Sequence, residues 1–284
     1  MRHCIELGKT YLISKIDDGL CQEFHQLKHG PSQAWTTACV GSSLYEFDYV
    51  SKDMIDVLLS QQHENGGWSY NPSVSTDADS TLRAIQFLRK IDFKDKKVIE
   101  RAEDFVVSHQ LEDGGITTYL PEEAKSTGYL WYEKGWCSSH PCVTALAINQ
   151  LRDIDAIQKA KVYLQKRLEN HNSIAYWWNT PFYVLYETGH QNGYDVSSDP
   201  VEISLALLLE SKHGVYNPEL TQKLLPLQRE DGSFLPSRQF HIPHPYQTVN
   251  DIVGDEKVIE DKQGIFSTCS AIVAISRQMK LKSF

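Results

Sequence analysis

Hydrophobic residues recur at helical spacing in three segments, and each segment ends in a turn that contains glycine. The segments close at Gln62, Gln110 and Gln228, where the turns read QHENGGW, QLEDGGI and QREDGSF. Apolar residues at this spacing followed by a glycine turn predict an amphipathic helix with a C-terminal stop. Because only one face of each helix is apolar, these three helices are expected to lie on the outside of the fold.

A second kind of helix is predicted after each turn. It begins at Thr81, Thr144 and Thr268, where the chain reads TLRAI, TALAI and TCSAI, and looser copies start at Thr37 and Thr180. These segments are apolar or small over much of their surface, which predicts buried helices. Five or six outer and inner helix pairs, with no convincing strand, predict an all-α fold. We expect an α/α toroid of the α6/α6 barrel type, with residues 1–284 as a single domain.

The links between the turns and the inner helices differ in length. The first link is short, whereas the second and third give long loops near residues 116–137 and 235–265. Insertions at the same point of a repeat emerge on the same face. That face also carries the start of the inner helix where Asp77 and Asp79 lie. We therefore expect both loops to cover these carboxyl groups as a lid or a binding rim.

Composition narrows the classes of function. The net charge is −9, and no block of Lys or Arg is present, which excludes nucleic acid as an expected partner. No apolar run approaches the roughly 18 residues of a membrane span, and the N-terminus does not read as a signal peptide. The six cysteines are interpreted as reduced thiols. Together these features predict a cytoplasmic protein without a transmembrane segment.

The glycine turns and the acidic segment resemble a known superfamily. Gln62-x3-Gly66-x-Trp68 is similar to the QW motif of squalene-hopene and oxidosqualene cyclases and related class II terpene cyclases. The segment Asp77-Ala78-Asp79-Ser80-Thr81 resembles their D-x-D-D-T acid motif, with Ser80 in place of the fourth-position Asp. The resemblance implies proton-initiated cyclisation or isomerisation of an isoprenoid, with Asp79 as general acid. Asp77, Ser80 and Thr81 would support that acid.

The same resemblance implies a hydrophobic cavity that stabilises a carbocation through aromatic faces. Aromatic residues cluster where the inner helices begin, and Cys142 aligns with Asp79 when Thr144 is aligned with Thr81. The expected substrate-binding residues are Trp35, Tyr176, Trp177, Trp178, Tyr183, Cys142 and Phe266, with Phe182 beside them. No cofactor is expected, and Mg²⁺ would be needed only by a diphosphate substrate.

Two features of the sequence raise the possibility of a metal site. The repeat also resembles the β-subunits of protein prenyltransferases, but Ser267 stands where their zinc-binding His would be, so Zn²⁺ is not expected. Cys137, His140 and Cys142 lie within six residues and include thiol and imidazole groups that suit zinc. This spacing leaves a metal site, pocket lining and plain packing open.

Structural explanations stand beside the catalytic one. Asp77 and Asp79 could simply cap a helix, since acidic residues are favoured at helix N-termini. The main alternative to a cyclase-like isomerase or lyase is a non-catalytic subunit that binds a lipid or a partner protein domain. A metal-dependent prenyltransferase-like enzyme is a further alternative.

Overall fold

A computed structural model describes residues 1–126, 134–170, 172–191, 193, 195–252 and 257–282. The helices of this part of the chain are α1 (Arg2–Ser14), α2 (Ala34–Tyr45), α3 (Lys52–Ser60), α4 (Ala78–Lys90), α5 (Lys96–Ser108), α6 (Pro121–Ser126), α7 (Pro141–Gln150), α8 (Ile154–Glu169), α9 (Phe182–Thr188), α10 (Pro200–Lys212), α11 (Pro218–Leu224) and α12 (Ile265–Lys282). A short 3₁₀ turn follows α11 at Leu225–Leu227. The strands are β1 (Trp68–Ser69), β2 (Thr76–Asp77), β3 (Phe240–Ile242) and β4 (Lys257–Ile259).

Six of the described helices surround the centre of the molecule. Helices α2, α4, α7, α9, α10 and α12 contact one another in that order, and α12 returns to α2. Most of their residues are buried, as expected for helices that are apolar nearly all round. Helices α1, α3, α5, α8 and α11 each pack on the outside of one of them.

The three glutamine turns have one shared geometry. The side-chain amide of each glutamine donates to the glycine carbonyl of its own turn and to a carbonyl of the next outer helix. Gln110, for example, donates to Gly114 O at 3.0 Å and to Ala156 O of α8 at 2.8 Å. Gly114 has φ +88°, and a Cβ there would approach Lys159 O to 2.4 Å, so only glycine fits. The recurring motif therefore joins successive outer helices.

The recurring threonines complete the same unit. In each repeat the threonine hydroxyl accepts a hydrogen bond from the backbone N–H two residues after the turn glycine. The pairs are Trp68 to Thr81, Ile116 to Thr144 and Phe234 to Thr268, at 2.8–2.9 Å. The hydroxyl also donates one turn back within its own helix, for example from Thr144 to His140 O. Each threonine thus joins a turn to the start of an inner helix.

The prediction of an all-α toroid is wrong. About 52% of the structure is helical, and it also contains two small antiparallel sheets. In one sheet Trp68 pairs with Asp77, and in the other Phe240 pairs with Ile259. These strands are two or three residues long, so they leave no alternating pattern in the sequence. The acidic segment at 77–81 therefore begins at the end of a strand, because Asp77 ends β2 and α4 begins at Ala78.

Both predicted long loops contain short elements. Helix α6 lies in the loop at 116–137, and β3 and β4 lie in the loop at 235–265. Residues 127–133 and 253–256 of these loops are outside the described residues. The two loops touch, because Gly135 N donates to Pro245 O at 2.9 Å and Trp136 Nε1 donates to Pro243 O at 3.1 Å. The assignment of all 284 residues to one domain stays a prediction.

Candidate active site

A cavity of about 220 Å³ lies where α4 begins, beneath the two long loops. Asp77, Asp79 and Ser80 line one part of it, and the side chains of Leu27, Val74, Ile242 and Ile259 add aliphatic surface. Most of the remaining wall is aromatic. It consists of Phe24, Trp35, Tyr70, Tyr119, Trp136, Trp177, Trp178 and Phe240.

Asp77 is the N-cap of α4. Its Oδ1 accepts a 2.7 Å hydrogen bond from Ser80 N, which satisfies a free donor of the first helical turn. Its side chain is only 3% exposed, and Oδ2 has no hydrogen-bond partner. Burial raises the pKa of Asp77 to about 8, and the nearby carboxyl groups of Asp79 and Glu123 act in the same direction. Asp77 is therefore mostly a neutral carboxylic acid at pH 7.

Asp79 lies in the first turn of α4 and is only partly buried. Its Oδ2 accepts a 3.0 Å hydrogen bond from the indole Nε1 of Trp35 on α2. Burial raises the pKa of Asp79, while the positive charge of Arg83 and the hydrogen bond from Trp35 oppose that rise. The group thus holds a proton more strongly than a free aspartic acid, yet it has two neighbours that stabilise its carboxylate.

Arg83 is a buried cation one helical turn after Asp79. Its Nη2 donates to the hydroxyl of Tyr183 at 2.6 Å, and its Nη1 donates to Gln86 Oε1 at 3.0 Å. Its guanidinium carbon lies 5.4 Å from the ring centres of both Trp35 and Tyr183. These contacts fix a positive charge behind the acid. The spacing of four residues between Asp79 and Arg83 was the available sequence signal for it.

The predicted site residues divide into two groups. Asp77, Asp79, Ser80, Trp35, Trp177 and Trp178 line the cavity. Thr81, Tyr176, Cys142, Tyr183, Phe182 and Phe266 are buried and do not line it.

The second group nevertheless contacts the first. Tyr183 stacks on Trp178 with ring centres 4.1 Å apart, and Phe266 lies 5.2 Å from Trp35. Thr81 donates to Asp77 O at 2.7 Å. These residues therefore hold the wall and the acidic turn in place.

His140 and Thr118 support the opposite side of the cavity. His140 Nδ1 accepts from Thr118 N at 3.2 Å, and its Nε2 lies 3.0 Å from Gly135 O, which assigns the proton to Nε2. Burial lowers the pKa of His140 to about 3, so the ring is neutral. Thr118 then accepts a 2.7 Å hydrogen bond from Trp177 Nε1 and, through its carbonyl, one from Ala78 N. This chain of contacts joins Trp177 to the start of α4.

The Cys137–His140–Cys142 segment was one candidate for a metal site. Within the described ranges, no group of three or more His, Cys, Asp or Glu side chains is arranged to hold a metal ion. Both ring nitrogens of His140 are in contact with protein groups, and burial raises the pKa of the Cys142 thiol to about 12. The segment instead places His140 flat against Tyr176, with ring centres 3.8 Å apart.

Several cavity residues were not predicted from the sequence. Phe24, Tyr70, Tyr119 and Phe240 all lie outside the inner helices, in loops or in β3. Loop residues carry no periodic signal, so no pattern indicated their position. Trp136 lies within the predicted long loop at 116–137, and the sequence analysis did not single it out.

Comparisons with solved structures identify relatives of this fold. A protein from Actinoplanes matches with a TM-score of 0.82 and 22% identity, over 98% of this chain and 99% of that one. A variant of the type II terpene cyclase MstE from Scytonema, in complex with its substrate geranylgeranyl dihydroxybenzoate, matches with a TM-score of 0.81 and 21% identity. That match covers 99% of this chain and 97% of the other. A further MstE variant, in complex with its product merosterolic acid A, gives a TM-score of 0.80 at 20% identity, with coverage of 99% and 97%.

The chain therefore has the fold of a type II terpene cyclase over nearly its whole length. No protein-family model and no curated protein matches it. The resemblance to squalene-hopene cyclases stays a prediction. Among the described helices, none is long and apolar enough to cross a membrane.

Proposed function

We propose that the protein is a type II terpene cyclase that cyclises an isoprenoid by protonation, with Asp79 as general acid. The observation that carries this proposal is the pair of carboxyl groups with raised pKa values, Asp77 and Asp79, at the wall of an aromatic cavity. The likeness in fold to MstE, which is described with an isoprenoid substrate and product, supports the same chemistry.

The acid has the two properties that the reaction needs. Burial raises the pKa of Asp79, so this group holds its proton more strongly than a free aspartic acid when a substrate enters. After the proton has moved to a C=C bond or an epoxide, the carboxylate that remains is stabilised by the Trp35 N–H and the charge of Arg83. These groups are fixed before the reaction, so they lower the barrier without reorganisation. Asp77, which also holds a proton, lies two residues away.

The wall has the chemistry that a carbocation requires. Trp35, Trp177 and Trp178 present aromatic surface beside the acid, and such faces attract a cation in a site without water. A cation that is shielded from water survives until new C–C bonds form, and it then ends by losing a proton. The cavity accordingly serves both to fold the isoprenoid chain and to protect the carbocation from water.

Cavity size sets a limit on the substrate. The volume of about 220 Å³ is below the range of about 300–1,000 Å³ that is common for ligand pockets. A series of prenyl substrates with ten, fifteen and twenty carbons therefore tests chain length directly. We expect the shorter chains to be converted fastest.

The test of function is incubation with this series, with squalene and with epoxidised analogues, followed by mass spectrometry of the products. Asp79→Asn should lower product formation about 100- to 10,000-fold, the usual contribution of a general acid. Its thermal unfolding should barely change, because Asn keeps the size of the side chain. Ligand binding without any product from the native protein would reject the cyclase and support the non-catalytic lipid-binding alternative.

A further inference from the structure

Charged groups that line the cavity are separated by depth. Asp77 is buried and Asp79 is partly buried, whereas the two ammonium groups, Lys28 and Lys257, lie on exposed residues. Among the described residues that line the cavity, Asp77 and Asp79 are the only ones with carboxyl side chains. In the part of the chain that the structure describes, the two lysines therefore place positive charge at the opening, although the whole chain has a net charge of −9.

The rim that carries these lysines is built by specific contacts. The side-chain amide of Asn71 donates to His29 O at 2.8 Å and to Pro31 O at 2.9 Å, which fixes the loop that contains Lys28. Lys257 belongs to β4 and pairs with Ile242 of β3. The two segments are joined directly, because Gln26 Nε2 donates to Glu260 O at 2.7 Å. The lysine backbones are thus held at fixed places on one opening.

Neither lysine forms an ion pair with a residue that the structure describes. In the described part of the chain, Lys28 and Lys257 take part in no ion pair, whereas Lys90 pairs with Glu46 and Lys223 with Glu219. An unpaired ammonium group at the mouth of an apolar cavity attracts anions and forms charge-assisted hydrogen bonds with them. Two such groups on one rim suit a ligand with several anionic oxygens.

We infer that the substrate carries an anionic head group, a carboxylate or a phosphate, which Lys28 and Lys257 bind at the opening. The isoprenoid tail then enters the aromatic cavity with its far end toward Asp79. This inference rests on the proposed function and sharpens it, since it excludes a wholly neutral hydrocarbon as the preferred substrate. It also fixes the direction of entry, because a charged head cannot pass into the apolar part without a large desolvation cost.

The experiment compares three ligands with the same prenyl tail: the neutral alcohol, the diphosphate and a prenylated benzoate. Binding is followed by quenching of the cavity tryptophans, at low and at high salt. We expect the native protein to bind at least one anionic ligand about tenfold or more tightly than the alcohol, and salt to weaken only the anionic ligands. Whichever of the diphosphate and the benzoate binds more tightly identifies the head group.

The decisive variant is Lys28→Gln combined with Lys257→Gln. It should weaken binding of the preferred anionic ligand about tenfold or more and leave the alcohol unchanged. The matched control is Lys96→Gln combined with Lys97→Gln, which removes two exposed lysines from α5, outside the cavity. Equal affinities for all three ligands, or equal losses in both double variants, would overturn the head-group site.

The outcome separates this inference from the proposed function. Lysine-dependent binding of an anionic ligand without any product would keep the head-group site and reject cyclisation. Turnover of the neutral alcohol or its epoxide at a rate that the lysine variants do not change would keep cyclisation and reject the head-group site.

Discussion

The indole of Trp35 donates its N–H to Oδ2 of Asp79 at 3.0 Å, and so joins the aromatic wall on α2 to the acid on α4. The same indole ring lies 5.4 Å from the guanidinium of Arg83. One side chain therefore faces the cavity, stabilises the carboxylate of the proposed acid and contacts the buried cation behind it. This arrangement makes the wall and the acid a single functional unit.

Replacing Trp35 by Phe should slow the reaction without removing the wall. The ring is kept, but Asp79 loses its hydrogen bond, and hydrogen bonds to charged groups contribute about 1.5–3 kcal/mol. We expect kcat to fall about tenfold to a hundredfold. Because the hydrogen bond lowers the pKa of Asp79, its loss should also move the alkaline limb of the pH–rate profile to higher pH.

The control for this variant is Trp177→Phe. Trp177 also lines the cavity, but its indole donates to Thr118 and does not contact the acid. This change should alter KM more than kcat, and the alkaline limb of the pH–rate profile should stay at the same pH. If both variants shifted the alkaline limb of the pH–rate profile equally, the effect of the Trp35 hydrogen bond on the pKa of Asp79 would be refuted.

Asp77 should make stability depend on pH. In the unfolded chain an aspartate titrates near pH 4, whereas burial raises the pKa of Asp77 to about 8 in the folded protein. Below about pH 4 the folded and the unfolded protein both hold the proton on Asp77, so its contribution to the free energy of unfolding is fully present. Between about pH 4 and pH 8 the unfolded state releases the proton while the folded state keeps it. Stability from this group therefore falls as the pH rises through that range.

Urea unfolding of the native protein and of Asp77→Asn at pH 5 and pH 8 measures this contribution. Asn cannot titrate, and it can still accept the hydrogen bond from Ser80 N. Relative to the variant, the native protein should lose on the order of 2–4 kcal/mol of stability between the two pH values. A constant difference between the two proteins would mean that Asp77 titrates normally.

How much of this site could be predicted depended on whether a residue lies on a periodic element. Asp79 and Trp35 lie in the first turns of inner helices, where the repeated threonines give the register. Phe240 and Lys257 lie in three-residue strands within a long loop, and they meet the helices only through tertiary contacts. Because such short strands leave no pattern, the sequence wrongly indicated an all-α fold. It also gave no indication of the two lysines at the opening of the cavity.

The repeated turn, by contrast, could be predicted because each copy uses the same hydrogen bonds. Thr144→Val tests this structural role, since Val keeps the shape of Thr but cannot accept from Ile116 N. The buried N–H is then left without its partner, which should lower the free energy of unfolding by about 1–3 kcal/mol. Activity at low temperature should be retained, because Thr144 does not line the cavity. Unfolding curves and product assays at 10 °C and 37 °C would reveal a catalytic role if activity were lost at both temperatures.

The contact between the two long loops should control access to the cavity. A Cβ on Gly135 would lie 2.3 Å from Gln247 O and 2.4 Å from Pro245 O, so Gly135→Ala must push the loops apart. The neighbouring bond from Trp136 Nε1 to Pro243 O should then weaken, and Trp136 should become more exposed to water. We expect weaker ligand binding, a red shift of tryptophan emission and faster proteolysis within the 235–265 loop.

The control is Gly193→Ala, where an added Cβ meets nothing within 4 Å. If Gly135→Ala matched this control in all three measurements, closure of the cavity by the two loops would have to be abandoned.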